Sequence, residues 1–158
     1  LRQGRDRPQF VRHGSRHLSA IALAAALPLT IGAAPPTADV SATITNLRST
    51  KGKILACLTT RADTFPACEN DPDARSQIVP ATEPHIHFGA VPAGRYAIAV
   101  IHDENSNGKL DKRLIIPREG FGFSRDAPVM MGPPSFSSAV FPVGTENERL
   151  TIKMRYLL

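Results

Sequence analysis

Once its first 38 residues are set aside, this chain has almost no excess of charge. Five of its 19 Lys and Arg residues, Arg2, Arg5, Arg7, Arg12 and Arg16, lie near the start, and residues 39–158 carry 14 Lys and Arg against 13 Asp and Glu, a net of +1. The basic character of the whole chain therefore belongs mostly to its first segment, and a phosphate-binding surface for nucleic acid loses its main support. Cysteine is equally scarce. Only Cys57 and Cys68 occur, without the C-x-x-C spacing or nearby histidines that a reactive thiol or a zinc pair uses. A length of 158 residues leaves room for one domain around one hydrophobic core and none for a separate cofactor domain. Beyond residue 38 no segment has a convincing helical period, and no internal repeat or low-complexity tract is present.

What the first 38 residues do have is an order that targeting explains. A basic stretch precedes fourteen uncharged, largely apolar residues from Leu18 to Ile31, "LSAIALAAALPLTI", and then the small residues and proline pair of "GAAPPTA". This is the layout of a secretory signal peptide, with cleavage expected between about 33 and 38. The apolar run is short for a spanning helix and Pro28 interrupts it, so no stable membrane span is expected after processing. The mature chain, residues 39–158, is then expected in a periplasmic or secreted location. In such an oxidising compartment an even cysteine count favours a structural disulfide between Cys57 and Cys68, closing the base of a loop.

Past residue 38 the pattern is one of short β-type runs between turn residues. "DVSATITNL" (39–47) and "KGKILACLTT" (51–60) are expected to form one hairpin, "HIHFGAV" (85–91) and "GRYAIAVIH" (94–102) a second around the turn "PAG", and "FSSAVFPV" (136–143) and "RLTIKMRYL" (149–157) close the chain. Fourteen prolines and eleven glycines suit many turns. The expected fold is all-β, an antiparallel Greek-key sandwich, with an open barrel as the alternative.

The stretch "HDENSNGKLD" (102–111) carries the sharpest chemical signal. Asp103, Asn105, Asn107 and Asp111 occupy the first, third, fifth and ninth positions of an EF-hand-like calcium loop, with Gly108 at the sixth and the Lys109 carbonyl at the seventh. Hard oxygen ligands at alternate positions are what calcium requires. The twelfth position is Leu114, so the bidentate glutamate is missing unless Glu104 or Glu119 substitutes. The competing reading is an Asx- and Gly-rich turn whose amides bond their own backbone, which selects the same residue types.

The segment from about 103 to 135 is too long for a passive connection in a small domain. Within it, "LIIP" suits a short extra strand, and "GFGFS" lays Phe121 and Phe123 on one side of the chain while its glycines permit tight bends. Taken with "GRYAIAVIHDENSNGKLD", the runs "IPREGFGFSRDA" and "GPPSF" resemble the bacterial exported family of domain of unknown function 2141, over roughly residues 40–157. The resemblance implies an immunoglobulin-like or prealbumin-like sandwich in a secreted or periplasmic protein, and no activity. Ser106 stands where a glycine is often met in that family.

Two other chemistries can be assembled from residue types alone. Ser124, His102 and Asp103 or Glu119 could compose a hydrolase, but "GFSRD" lacks the strand-turn-helix setting of a nucleophile elbow, and no enzyme is expected. His85, His87 and His102, with Glu83, would gather on one face if the 85–91 and 94–102 runs paired, which is a zinc or copper arrangement. Against it, His102 reads as a hydrogen-bonding anchor for the loop that follows. The expected function is thus a non-catalytic exported sandwich whose loop, with or without calcium, faces an envelope protein or a glycan. The alternatives are a metal-free structural or accessory envelope domain, a histidine-based transition-metal binder and a small hydrolase.

Overall fold

Alternating apolar residues close two sheets over a shared core. A computed structural model describes residues 34–158, so the signal peptide read in the first 38 lies outside the described residues up to position 33. The strands are β1 (Thr37–Thr45), β2 (Lys53–Thr59), β3 (Arg75–Pro80), β4 (His85–Pro92), β5 (Gly94–Asp103), β6 (Lys112–Arg113), β7 (Ile116–Pro117), β8 (Gly120–Phe123), β9 (Phe141–Val143) and β10 (Glu148–Lys153). A 3-10 turn at Ser124–Asp126 and a single helical turn, α1 (Phe136–Ala139), lie between β8 and β9. One sheet has the order β10-β1-β4 and the other β3-β2-β5-β8, with β9 also paired to β5, while β6 and β7 form a ribbon of their own. The fold is all-β and sandwich-like. Among the described residues no helix is long and apolar enough to cross a membrane.

Period-two burial shows why these residues make strands. Val40, Ala42 and Ile44 of β1 meet Ile54, Ala56 and Leu58 of β2, Ile86 and Phe88 of β4, Ile98 and Val100 of β5, and Ile152 with Met154 at the end of β10. The other face of β5 is buried too. Ala97 and Ala99 pack under Phe121, Phe123, Ala127 and Ala139, with Phe65 and Phe136 against them. Two alanines in succession on that face leave room for a third layer, and the rings fill it edge to face, with Phe65 to Phe123 and Phe65 to Phe136 both at 5.9 Å between centroids.

Most strand positions were legible, but their partners were not. β1 does not pair with β2, and β4 does not pair with β5; in both cases the chain crosses to the opposite sheet. Alternation determines which face of a strand is buried, and either neighbour satisfies it. The β1–β2 connection turns through Asn46 and Gly52, both at positive φ, and the β4–β5 corner through Ala93, whose N–H bonds the Pro36 carbonyl at 3.0 Å. β1 runs parallel to β10, an exception to the antiparallel expectation, since chain ends joined by no turn are free to run the same way. β3 has no counterpart in the sequence reading because "RSQIVP" is an edge strand that leaves Ile78 exposed. Of the segment 136–143, the first part is helical and only Phe141–Val143 is strand. β1 begins at Thr37 and Ala38 is already in the core, just ahead of the domain start expected at 39.

Cys57 of β2 is joined to Cys68 across eleven positions, so the disulfide pins the loop that carries Phe65 onto the outer face of β5. Closing so small a ring stabilises by about 2–3 kcal/mol through the unfolded state. Thiol titration of the denatured, unreduced protein is expected to find no free thiol, and reduction to lower the unfolding free energy by about that amount; two free thiols, or an unchanged denaturant midpoint after reduction, count against it.

Candidate functional site

β5 ends by carrying two polar side chains, His102 and Asp103, fully out of water, and the loop that follows is shaped by what they need. A buried carboxylate must find donors. Asp103 finds them in the backbone just ahead: one oxygen accepts the Asn107 N–H at 3.0 Å and the other the Gly108 N–H at 2.7 Å. The chain therefore curls back on itself, and Gly108 sits at φ +83, where a side chain would be strained. Ser106 also takes positive φ, +62.

A second ring lies outside the first. Asn105 and Asn107 use their side-chain oxygens on the N–H groups of Asn107 and Lys109, both at 3.0 Å, and their amide nitrogens on the two oxygens of Asp111 at 2.7 and 3.0 Å. Those two amide donors hold the Asp111 carboxyl below the usual carboxylate range. Lys109 lies on the exposed arc.

Glu119, buried and immediately before β8, closes the loop. Its carboxylate accepts the N–H of Glu104 at 3.1 Å and of Asp111 at 2.9 Å, and the Arg118 N–H bonds the Asp111 carbonyl at 2.9 Å. The excursion leaves and rejoins the sheet at a point fixed by one carboxylate. Among the described residues no group of three or more His, Cys, Asp or Glu side chains is gathered as a metal would require. Leu114, at the twelfth position, points into solvent, and Glu119 is committed to backbone N–H groups.

His102 anchors the loop from the other side. Its Nε2 lies 2.8 Å from the Lys51 carbonyl and its Nδ1 2.7 Å from the Tyr156 hydroxyl. A carbonyl can only accept, so Nε2 carries the proton. Tyr156 also accepts the Arg48 N–H at 3.2 Å, so its hydroxyl joins the turn after β1 to the His102 ring. Burial raises the Tyr156 hydroxyl above its ordinary range. The Arg48 guanidinium stacks on the Tyr156 ring at 4.5 Å and pairs with Glu104, its Nε at 3.0 Å. That pairing, with the Ser49 hydroxyl at 2.8 Å, holds the Glu104 carboxyl below its usual range. Arg48, Arg113, Arg118 and Leu158 line an open cleft of about 500 Å³ beside this cluster.

The histidine grouping expected from a β4–β5 hairpin does not form. His85 and His87 stand exposed on β4, near Thr43 Oγ1 at 3.3 Å and Asp39 at 3.8 Å, while His102 is buried on the opposite sheet. The hydrolase set is also dispersed in its bonding. Ser124 is buried, accepting the Ile98 N–H at 2.9 Å and donating to the Ala139 carbonyl at 2.6 Å, and none of Ser124, His102, Asp103 and Glu119 hydrogen-bonds another. Sequence reasoning missed Arg48 and Tyr156, and Lys51 as the partner of His102; these lie about fifty positions away along the chain, and nothing local marks them.

A family model described as an uncharacterized protein conserved in bacteria (DUF2141) matches residues 42–151. The chain belongs to this family. The match spans both sheets and the whole 103–119 loop, so the buried carboxylates and the curl they hold lie inside the family region. No curated protein and no solved structure is significantly similar to the chain.

The two acidic ends of the loop should respond differently to truncation. Asp103→Ala strands two backbone donors and is expected to lower the unfolding free energy by about 2–3 kcal/mol, whereas Asp111→Ala, at the solvent side, should leave the melting curve nearly unchanged. Denaturant titration of the two variants checks this, and equal losses would dismiss the inner ring as the support.

Proposed function

We propose that this protein is a non-catalytic, exported envelope module that holds the 103–119 loop as a presentation surface. One observation carries the reading: the loop's shape is held by buried carboxylates on backbone N–H groups, and its outer segment, residues 112–118, is left largely exposed. Rigid support beneath an exposed tip is an arrangement for contact. Export is argued from the basic and apolar leader, and the sandwich constrains processing, because Ala38 packs in the core and the Pro36 carbonyl holds the β4–β5 corner. Cleavage that keeps both is therefore expected before Pro36. Intact-mass measurement of the native protein, recovered from the periplasm or medium, is expected to give a chain starting between about 34 and 36. A cytoplasmic species that still carries residues 18–31 overturns the reading.

A second reading, weak calcium binding, draws on the outer ring. Asn105, Asn107 and Asp111 converge there, and turning both amides over would set two oxygens beside one carboxylate, a hard-oxygen set of low charge. With Asp103 and Glu119 committed to backbone, affinity would fall in the extracellular range of roughly 0.1–1 mM. Calcium at about ten times its dissociation constant stabilises by about 1.4 kcal/mol, so calcium at about 10 mM is expected to raise Tm by a few degrees over chelator, with the rise absent in Asp111→Ala. Superimposable curves would leave "HDENSNGKLD" as a hydrogen-bonded turn.

A further inference from the structure

The outer segment of the loop is the β6–β7 ribbon, and its tip has the wrong composition for water. Leu114 is 93% exposed and Ile115 88%, followed by Ile116 at 42%. Leu114 also holds φ +58, a conformation that turns ordinarily assign to Asn or Gly. Neither turn propensity nor solubility explains two large aliphatic residues at this point, and neither contributes to the core.

Charge is divided just as sharply. Lys109, Lys112, Arg113 and Arg118 are exposed around the tip. Of the four carboxylates of the same loop, Asp103 and Glu119 are buried at its base on backbone N–H groups, Glu104 is paired with Arg48, and Asp111, alone on the outer ring, holds two amides. Leu158 adds a half-exposed apolar side chain to the cleft it shares with Arg113 and Arg118.

From this juxtaposition we propose that the ribbon inserts Leu114 and Ile115 into the interfacial zone of an anionic bilayer, with the surrounding Lys and Arg side chains on the lipid headgroups. The inference rests on the reading of the loop as a presented surface. An aliphatic point within a collar of basic residues matches a membrane surface, where apolar burial and attraction to anionic lipid act together. A protein partner fits less well. Protein interfaces favour aromatic residues, disfavour lysine and need a broad patterned area, whereas this tip has no aromatic residue and is narrow.

Vesicle flotation with the mature chain tests it. Binding to vesicles containing roughly 30% phosphatidylglycerol is expected to exceed binding to neutral phosphatidylcholine vesicles by at least about tenfold, and to weaken in about 1 M salt. Leu114→Asn with Ile115→Asn should reduce it about tenfold or more, as should Lys112→Gln with Arg113→Gln. These side chains are exposed, so melting midpoints should match the parent. The chain has no tryptophan, and Leu114→Trp therefore supplies a single reporter whose emission should shift to the blue on anionic vesicles only. No binding to anionic vesicles, equal binding to neutral ones, full binding by the double Asn variant, or an unshifted tryptophan each overturns the proposal. So does capture of an envelope protein or a glycan through the tip while the vesicle arms stay blank. The mass and compartment measurement involves no lipid, so a failure here is separable from a failure of the exported-module reading.

Discussion

Two adjacent polar side chains at the end of β5, His102 and Asp103, are shut away from water, and their need for partners dictates much of the surrounding structure. An unpaired buried charge or imidazole would cost several kcal/mol. Asp103 is satisfied only if the chain returns within five residues to offer two N–H groups, which forces the curl at Gly108. His102 needs a hydrogen-bond partner on each side of its ring. The turn after β1 supplies Lys51 and the segment after β10 supplies Tyr156, so one imidazole ties together three stretches that are remote in sequence. The fit is close enough that a side chain at Gly52 would lie 2.0 Å from the Asp103 carbonyl oxygen.

The same distinction explains what the sequence could disclose. Strands at 39–47, 51–60, 94–102 and 149–157 were legible because each strand declares its own buried face within a few residues. Their pairing was not, because Val40 is equally buried whether its strand lies beside β2 or across the core from it. The loop was partly legible for a similar reason: Asp103, Asn105, Asn107 and Asp111 bond one another and their own backbone within nine positions. Glu119, Arg48 and Tyr156 act on that loop from a distance, and only the tertiary fold reveals them. Ser124 shows the converse. Its residue type suggested chemistry, yet its hydroxyl is occupied by the backbone of β5 and α1.

β5 also accounts for the long excursion between β8 and β9. A central strand with Ala97 and Ala99 on its outer face needs a cover that alanine cannot itself supply, and Phe121 and Phe123 provide it from β8, Phe136 from the excursion and Phe65 from the disulfide-pinned loop. The disulfide and the excursion serve one purpose, the closing of a second small core. "GFGFS" works there because glycine alternates with phenylalanine: at Gly122 a side chain would come within 2.8 Å of Ile152 and 3.1 Å of the Lys153 carbonyl. One face of β8 thus lies flat against the end of β10, and the other carries the rings.

Support of the loop from beneath is what allows its tip to be apolar. A hairpin in water ordinarily draws its stability from turn residues and cross-strand pairs, and the two-residue strands β6 and β7 have little of either. Here the ribbon begins and ends at backbone groups held by Glu119 and by the Asp111 carbonyl, so the residues between them are released from structural duty. Turning Asp103 and Glu119 inward to satisfy those backbone groups has an electrostatic consequence, because it leaves Lys109, Lys112, Arg113 and Arg118 in excess over Asp111, the carboxylate of the outer ring. The geometry of the tip and the sign of its field therefore have one origin, the burial of acidic side chains at the base of the loop. A change that freed Asp103 or Glu119 from the backbone would alter both together.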